Sequence, residues 1–180
     1  MPEFAMHILI DGYNLIRQSV SLKRFERQSL EAGRHALIAW LADYRRKKDH
    51  RITVVFDGWE SGQPQEERDY SSGIFIIYSS LGVKADDVLK RITAATDEEI
   101  LVVSSDREIL SFATRKGKAT LSSAEFESIV SKQSSTSADN QFPSQKDEDD
   151  EESSRPVHKK GTAHKLSRAQ RQAKSKIRKL

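Results

Sequence analysis

Three times within its first 106 residues the chain runs through a short apolar stretch and stops at or near an aspartate: Ile8-Leu9-Ile10-Asp11, Ile52-Thr53-Val54-Val55-Phe56-Asp57 and Ile100-Leu101-Val102-Val103-Ser104-Ser105-Asp106. Runs this short, rich in β-branched residues and lacking polar alternation, suit strands buried on both faces, as in a parallel sheet. Helical patterns separate them, and strands alternating with helices build a mainly parallel sheet covered on both sides. Parallel strands put their carboxyl ends along one edge, where open α/β sheets bind ligands. Asp11 therefore matters more than a carboxylate on a helix surface. Gly12, directly after it, lets the chain turn sharply away from the strand. The plainer reading is that Asp11 and Asn14 only make a turn or cap a helix.

The intervening sequence fills in the layers. A polar stretch follows Asn14, and then Ser29–Lys48 reads as a long helix with Leu30, Leu37, Ile38, Leu41 and Tyr44 on one core-facing stripe. Arg45-Arg46-Lys47-Lys48 closes it, where cations suit the negative end of the helix dipole. Residues 59–70 are polar and charged, and read as an exposed loop. Ile74–Tyr78 is another strand. Ala85-Asp86-Asp87 opens a helix running to about Thr96, and its acids complement the dipole whatever else they do. A helix from Arg107 towards Arg115, a short strand at Lys118–Leu121 and a final helix capped by Ser122 or Ser123 complete the pattern.

Charge divides the rest. Residues 155–180 hold ten Lys and Arg and no acid, whereas residues 132–154 hold seven acids and two bases, so the formal net charge of +3 conceals opposed segments. Ser-rich and acidic, 132–154 has almost nothing to bury and reads as a disordered linker. In the basic tail Leu166, Ala169, Ala173, Ile177 and Leu180 recur at steps of three or four. It can fold as a helix on a polyanion, with Lys159, Lys160, Lys165, Arg168, Arg171, Lys174, Lys176, Arg178 and Lys179 as candidate RNA contacts. A solvated tail that aids solubility is the simpler alternative. The chain has no cysteine, which excludes disulfides and thiolate zinc sites and fits a reducing, cytoplasmic setting. No apolar run approaches the roughly 18 residues of a membrane span. Residues 1–5 read as an appended leader, since Met6-His7-Ile8 makes a natural start. The expected organisation is thus a domain over 6–131, the linker and the tail.

Asp11, Asp57, Asp86 and Asp106 all fall at or just past the expected carboxyl edge. One carboxylate there is a cap, but several together repel one another unless a cation neutralises them. Mg2+ or Mn2+ fits best, being a hard ion that takes oxygen ligands and keeps waters for exchange with phosphate oxygens. Such an ion activates water for in-line attack on a phosphodiester. No Ser-His-acid series, phosphate-cradling Gly-rich loop or cysteine nucleophile competes, and His7, His35 and His50 lack ligand spacing.

Asp11-Gly12-Tyr13-Asn14, Val55-Phe56-Asp57-Gly58, Ala85-Asp86-Asp87 and Val103-Ser104-Ser105-Asp106, in this order, resemble the NYN domain of the PIN-like nuclease superfamily, particularly its bacterial YacP-like branch. Ser122-Ser123-Ala124-Glu125-Phe126 resembles the start of that branch's last helix. The resemblance covers about residues 6–131 and implies a three-layer α/β fold and a metal-dependent endoribonuclease. It makes Asp11, Asp86 and Asp106 the metal-binding acids and Asn14 their helper, orienting a ligand water or a phosphate. Asp57 and Asp87 support them, and Ser104 or Ser105 hydrogen-bonds a metal-bound water. The expected substrate is RNA, with the ribosome as a candidate partner. Two other readings stay open: a non-catalytic RNA-binding adaptor, and a small-molecule phosphatase. The latter usually needs a second aspartate two residues after the first, where this chain has Tyr13.

Overall fold

The computed structural model describes residues 6–58 and 63–135. Its strands are β1 (His7–Asp11), β2 (Arg51–Phe56), β3 (Glu67–Ser71), β4 (Ile74–Tyr78), β5 (Ile100–Val103) and β6 (Ala119–Leu121), in one sheet of order β3-β4-β2-β1-β5-β6. The three aspartate-ended runs are its central strands: β1 pairs in parallel with β2 on one side and β5 on the other. Pairings of β2 with β4 and of β5 with β6 are also parallel. Asp11 stands opposite Val55, so the end of β1 and the Asp57 junction after β2 share one edge.

Successive residues of a strand point to opposite faces, and β1 divides the core accordingly. Ile8 and Ile10 join the cluster holding Leu15, Leu37, Leu41, Tyr44 and Phe126, whereas Leu9 joins Val88, Leu89, Ile109 and Ala113. The first layer consists of α1 (Gly12–Gln18), α3 (Leu30–Lys47) and α6 (Ser123–Ser135), with the short α2 (Lys23–Glu26) against α3. The second consists of α4 (Ala85–Ala95) and α5 (Arg107–Arg115). On α3, Leu37, Ile38, Leu41 and Tyr44 are buried as the stripe requires. Leu30 is 49% exposed and belongs instead to the rim of a cleft described below. It is the first helical residue, after Ser29 has capped the helix by accepting from the Ala32 amide at 2.9 Å. The final helix carries a capping box, in which Ser122 Oγ accepts from Glu125 N and the Glu125 carboxylate accepts from Ser122 N.

Part of the stretch expected as a loop departs from that reading. Glu67–Ser71 forms an edge strand, antiparallel to β4, with Tyr70 opposite Phe75. Its residues are almost all exposed, so no apolar alternation marks it. The hairpin is closed by Ser72 and Gly73 at φ 53° and 85°, as a two-residue primed turn demands. The polar stretch after Asn14 likewise holds the rest of α1 and all of α2. The last helix continues through Ser135, past the expected boundary at Lys132. The leader, most of the linker and the basic tail with its nine candidate contacts lie outside the described residues.

His7 and His50 are buried and His35 is exposed. Burial, aided by Arg51, holds the His7 imidazole down to about 4, and it hydrogen-bonds Thr53 Oγ1 at 2.9 Å, so it is a neutral structural group. Among the described residues no helix is long and apolar enough to cross a membrane.

Candidate active site

Asp11 ends β1 and at once caps α1. Its Oδ1 accepts the Asn14 backbone N–H at 3.3 Å, and its Oδ2 accepts the Ser104 hydroxyl at 3.0 Å. Asp106 performs the same service for α5, with Oδ1 accepting from the Glu108 and Ile109 amides at 2.6 and 3.4 Å. Capping and edge placement are therefore properties of the same two residues, not rival explanations. Asp86 differs: Lys84 occupies the N-cap position of α4, and no side chain caps that helix.

The loop between β5 and α5 stitches the acids together. Ser104, fully buried, donates to Asp11 while its Oγ accepts the Asp106 backbone N–H at 3.1 Å. Its hydroxyl thus fixes the spacing of the two acids. The Ser105 N–H donates to Asn14 Oδ1 at 2.8 Å, and Ser123 Oγ donates to the same oxygen at 2.8 Å. Ser105 Oγ in turn accepts the Ser123 N–H at 3.3 Å. Asn14 is consequently a junction of α1, the β5–α5 loop and α6.

One cleft of about 550 Å³ collects Asp11, Asp57, Asp86 and Asp106 together with Asn14. Asp87 is exposed and does not line it. Asp11 is only 7% exposed, and its carboxyl is pushed up to about 6. Burial is the main cause; the Asn14 and Ser104 hydrogen bonds oppose it, and the charges of Asp86 and Asp106 add to it. Half-buried Asp86 is also raised, by burial first and by Asp106 next, with Lys90 and Lys84 pulling the other way. Repulsion among the acids is real here but secondary to desolvation.

Residue patterning alone overlooked the cations of the cleft, Arg17 and Lys84. Arg17 follows Asn14 by three residues, one helical turn along the same face, and Lys84 directly precedes Ala85-Asp86. Ser123 was legible only as a possible cap.

The Ser104 bond favours the charged form of Asp11, so Ser104→Ala raises the Asp11 carboxyl further above 6. It also leaves Asp11 Oδ2 and the Asp106 amide short of a partner, a loss of about 1–3 kcal/mol in stability. Following the Asp11 carboxyl carbon through a pH titration by NMR checks this. An unmoved or lowered midpoint would refute it.

A three-layer domain whose aspartates from several strand ends meet in one cleft is the arrangement of the PIN-like nucleases. The chain belongs to the YacP-like NYN domain family, whose model matches residues 8–179. That match runs well past residue 131, where the motif resemblance stops, and takes in the charged C-terminal segments. The chain is similar to the uncharacterized protein YacP of Bacillus subtilis (strain 168), with 28% identity over 102 residues, 55% of this chain and 59% of that protein. It thus spans less than two thirds of that relative. The crystal structure of Rae1 (YacP) from Bacillus subtilis superposes with a TM-score of 0.60 at 24% identity, covering 73% of this chain and 76% of that one. A tryptophan-to-leucine mutant of the same protein gives 0.59 at 24% identity, covering 72% and 77%. At this identity the likeness establishes the fold. NYN domains belong to a nuclease superfamily.

Proposed function

We propose that the chain is a divalent-metal-dependent endoribonuclease that hydrolyses RNA phosphodiester bonds. The observation that carries this reading is the convergence of Asp11, Asp86 and Asp106 on one cleft, with the Asp11 carboxyl held above its ordinary range. Among the described residues, no group of three or more His, Cys, Asp or Glu is close enough to hold an ion unaided. Donors of this kind fit Mg2+ or Mn2+ bound by one or two carboxylates, with waters and substrate phosphate oxygens completing the shell. Asp11 is the first-choice ligand. Asp106 caps α5 through Oδ1, which leaves Oδ2 as a donor, and Asp86 faces them from α4. When bound, the ion supplies an activated water and charge stabilisation for in-line displacement.

The chain's own groups do the rest. Ser104 holds the Asp11 and Asp106 junctions in register, and Asp57 adds a carboxylate at the cleft mouth. Arg17 and Lys84 offer cations to the phosphates flanking the scissile bond, with Arg17 steadied by Glu26 at 3.0 Å. Set in the cytoplasm, such an enzyme meets RNA both free and on ribosomes, and the basic tail prolongs its residence there.

The direct test incubates the full chain with total RNA and ribosomes, with and without Mn2+, beside an Asp11→Asn control, and maps new ends. Metal-dependent ends absent from the control support the reading. Binding with no cleavage across a broad RNA panel favours a non-catalytic adaptor. Deleting residues 155–180 should weaken RNA association and flatten its salt dependence, since each lost phosphate contact removes about 0.7–0.9 from the log–log slope. An unchanged slope after deletion would reduce the tail to a solubility device.

A further inference from the structure

The Asn14 side chain is oriented by its neighbours in a way that determines what it can offer. A backbone N–H only donates, so the Asn14 atom that meets the Ser105 amide at 2.8 Å is the carbonyl oxygen. The Ser123 hydroxyl donates to that same oxygen at 2.8 Å. Two donors occupy both lone pairs of Oδ1, and the group left for the cleft is Nδ2 with its two N–H donors. Ser123 is fully buried at the first turn of α6, and its own N–H is engaged by Ser105 Oγ at 3.3 Å. Its backbone is thereby tied to the β5–α5 loop while its hydroxyl holds Asn14.

We propose that Ser123 is a positioning residue of the cleft: with the Ser105 amide it locks Asn14 so that Nδ2, and not Oδ1, is presented to an anionic phosphate oxygen of the substrate. This rests on the phosphodiester reading above and sharpens it, because Asn14 then serves as a donor to phosphate and is closed to a cation. Ser123 belongs to the last helix, 109 residues from Asn14, and among the described residues its hydroxyl bonds Asn14 and none of the acids. Its contribution to turnover passes entirely through the amide it holds. Without the hydroxyl, Oδ1 keeps one donor only, and the amide is freer to rotate and offer the wrong end to the phosphate.

The test uses the full chain and a labelled single-stranded oligoribonucleotide with Mn2+. Ser123→Ala should melt within a few degrees of the parent and lower kcat about tenfold, with KM within about twofold. In an Asn14→Ala background the same substitution should have no further effect, because the group it positions is gone. Ser123→Thr, which keeps the hydroxyl, should recover activity. Independently of turnover, the Asn14 side-chain amide resonances should move in Ser123→Ala. A non-cleavable phosphorothioate oligonucleotide should shift them in the parent but less in the variant. Unchanged kcat in folded Ser123→Ala, losses that add with Asn14→Ala, or unmoved Asn14 resonances would each overturn the proposal. Failure of the parent to cut RNA would instead count against the nuclease reading, and the resonance measurements would still decide the role of Ser123.

Discussion

Asp11→Asn should abolish metal-dependent RNA cleavage, by about 10³-fold or more, while making the domain more stable at pH 7. The two effects share one cause. In the folded chain the Asp11 carboxyl is raised from 3.8 to about 6, chiefly by burial, so its ionised form is disfavoured there relative to the unfolded chain. A raised folded pKa means that the protonated group is equally at home in both states below about pH 3.8. As pH climbs towards 6 the folded state loses stability, and above 6 the full cost is present. A shift of about two units corresponds to about 3 kcal/mol. Asparagine removes that cost and keeps the α1 cap through its own oxygen. Its amide must donate where Asp11 Oδ2 accepted from Ser104, however, and the serine hydroxyl has to turn. The expected net gain is about 1–2 kcal/mol at pH 7, or several degrees in melting temperature. The gain should vanish near pH 4. Thermal melts of parent and variant at pH 7 and pH 4 check this, and a variant no more stable at pH 7 would refute it. Added Mn2+ should raise the melting temperature of the parent and leave that of Asp11→Asn nearly unchanged, since an ion stabilises only the folded form that binds it.

That coupling explains which parts of the site were legible in the sequence. Runs such as Ile8–Ile10 and Val54–Phe56 announce parallel strands because both faces are buried, so their acids had to share an edge. β3 gave no such signal because Glu67, Arg68, Asp69 and Tyr70 face solvent. The strength of the effect on Asp11 also lay beyond the sequence. Charge repulsion can be inferred from four aspartates, whereas desolvation depends on how deeply the end of β1 is packed. The joining of Asn14 to Ser123 spans 109 residues, and no local pattern encodes so distant a hydrogen bond. Arg17 and Lys84 were visible as charges, but their assignment to the cleft needed the fold. The missed features of the cleft are thus products of tertiary packing, the missed strand β3 is a product of solvent exposure, and the legible features are products of periodicity and strand ends.

Gly12→Ala should be markedly damaging, for a reason other than a sharp turn. Gly12 is the first residue of α1 and is not among the glycines with positive φ. A Cβ there would lie 2.4 Å from Phe56 Cε1, 2.6 Å from Phe56 Cδ1 and 2.9 Å from Val54 Cγ1. The Phe56 ring cannot easily retreat: it is fully buried, stacked on Tyr78 at 5.7 Å and in edge contact with Tyr13 at 5.2 Å. Overpacking of this kind costs about 1–3 kcal/mol. It should also displace the β1–α1 junction that carries Asp11, so activity should fall further than the loss of folded protein explains. Phe56→Leu separates the two accounts of Gly12. If close packing is the requirement, the smaller side chain should partly rescue Gly12→Ala, with a favourable coupling of about 1–2 kcal/mol in a double-mutant cycle followed by denaturant unfolding. Were backbone freedom the requirement, removing the ring would only add its own cavity cost to that of Gly12→Ala, and the two losses would sum.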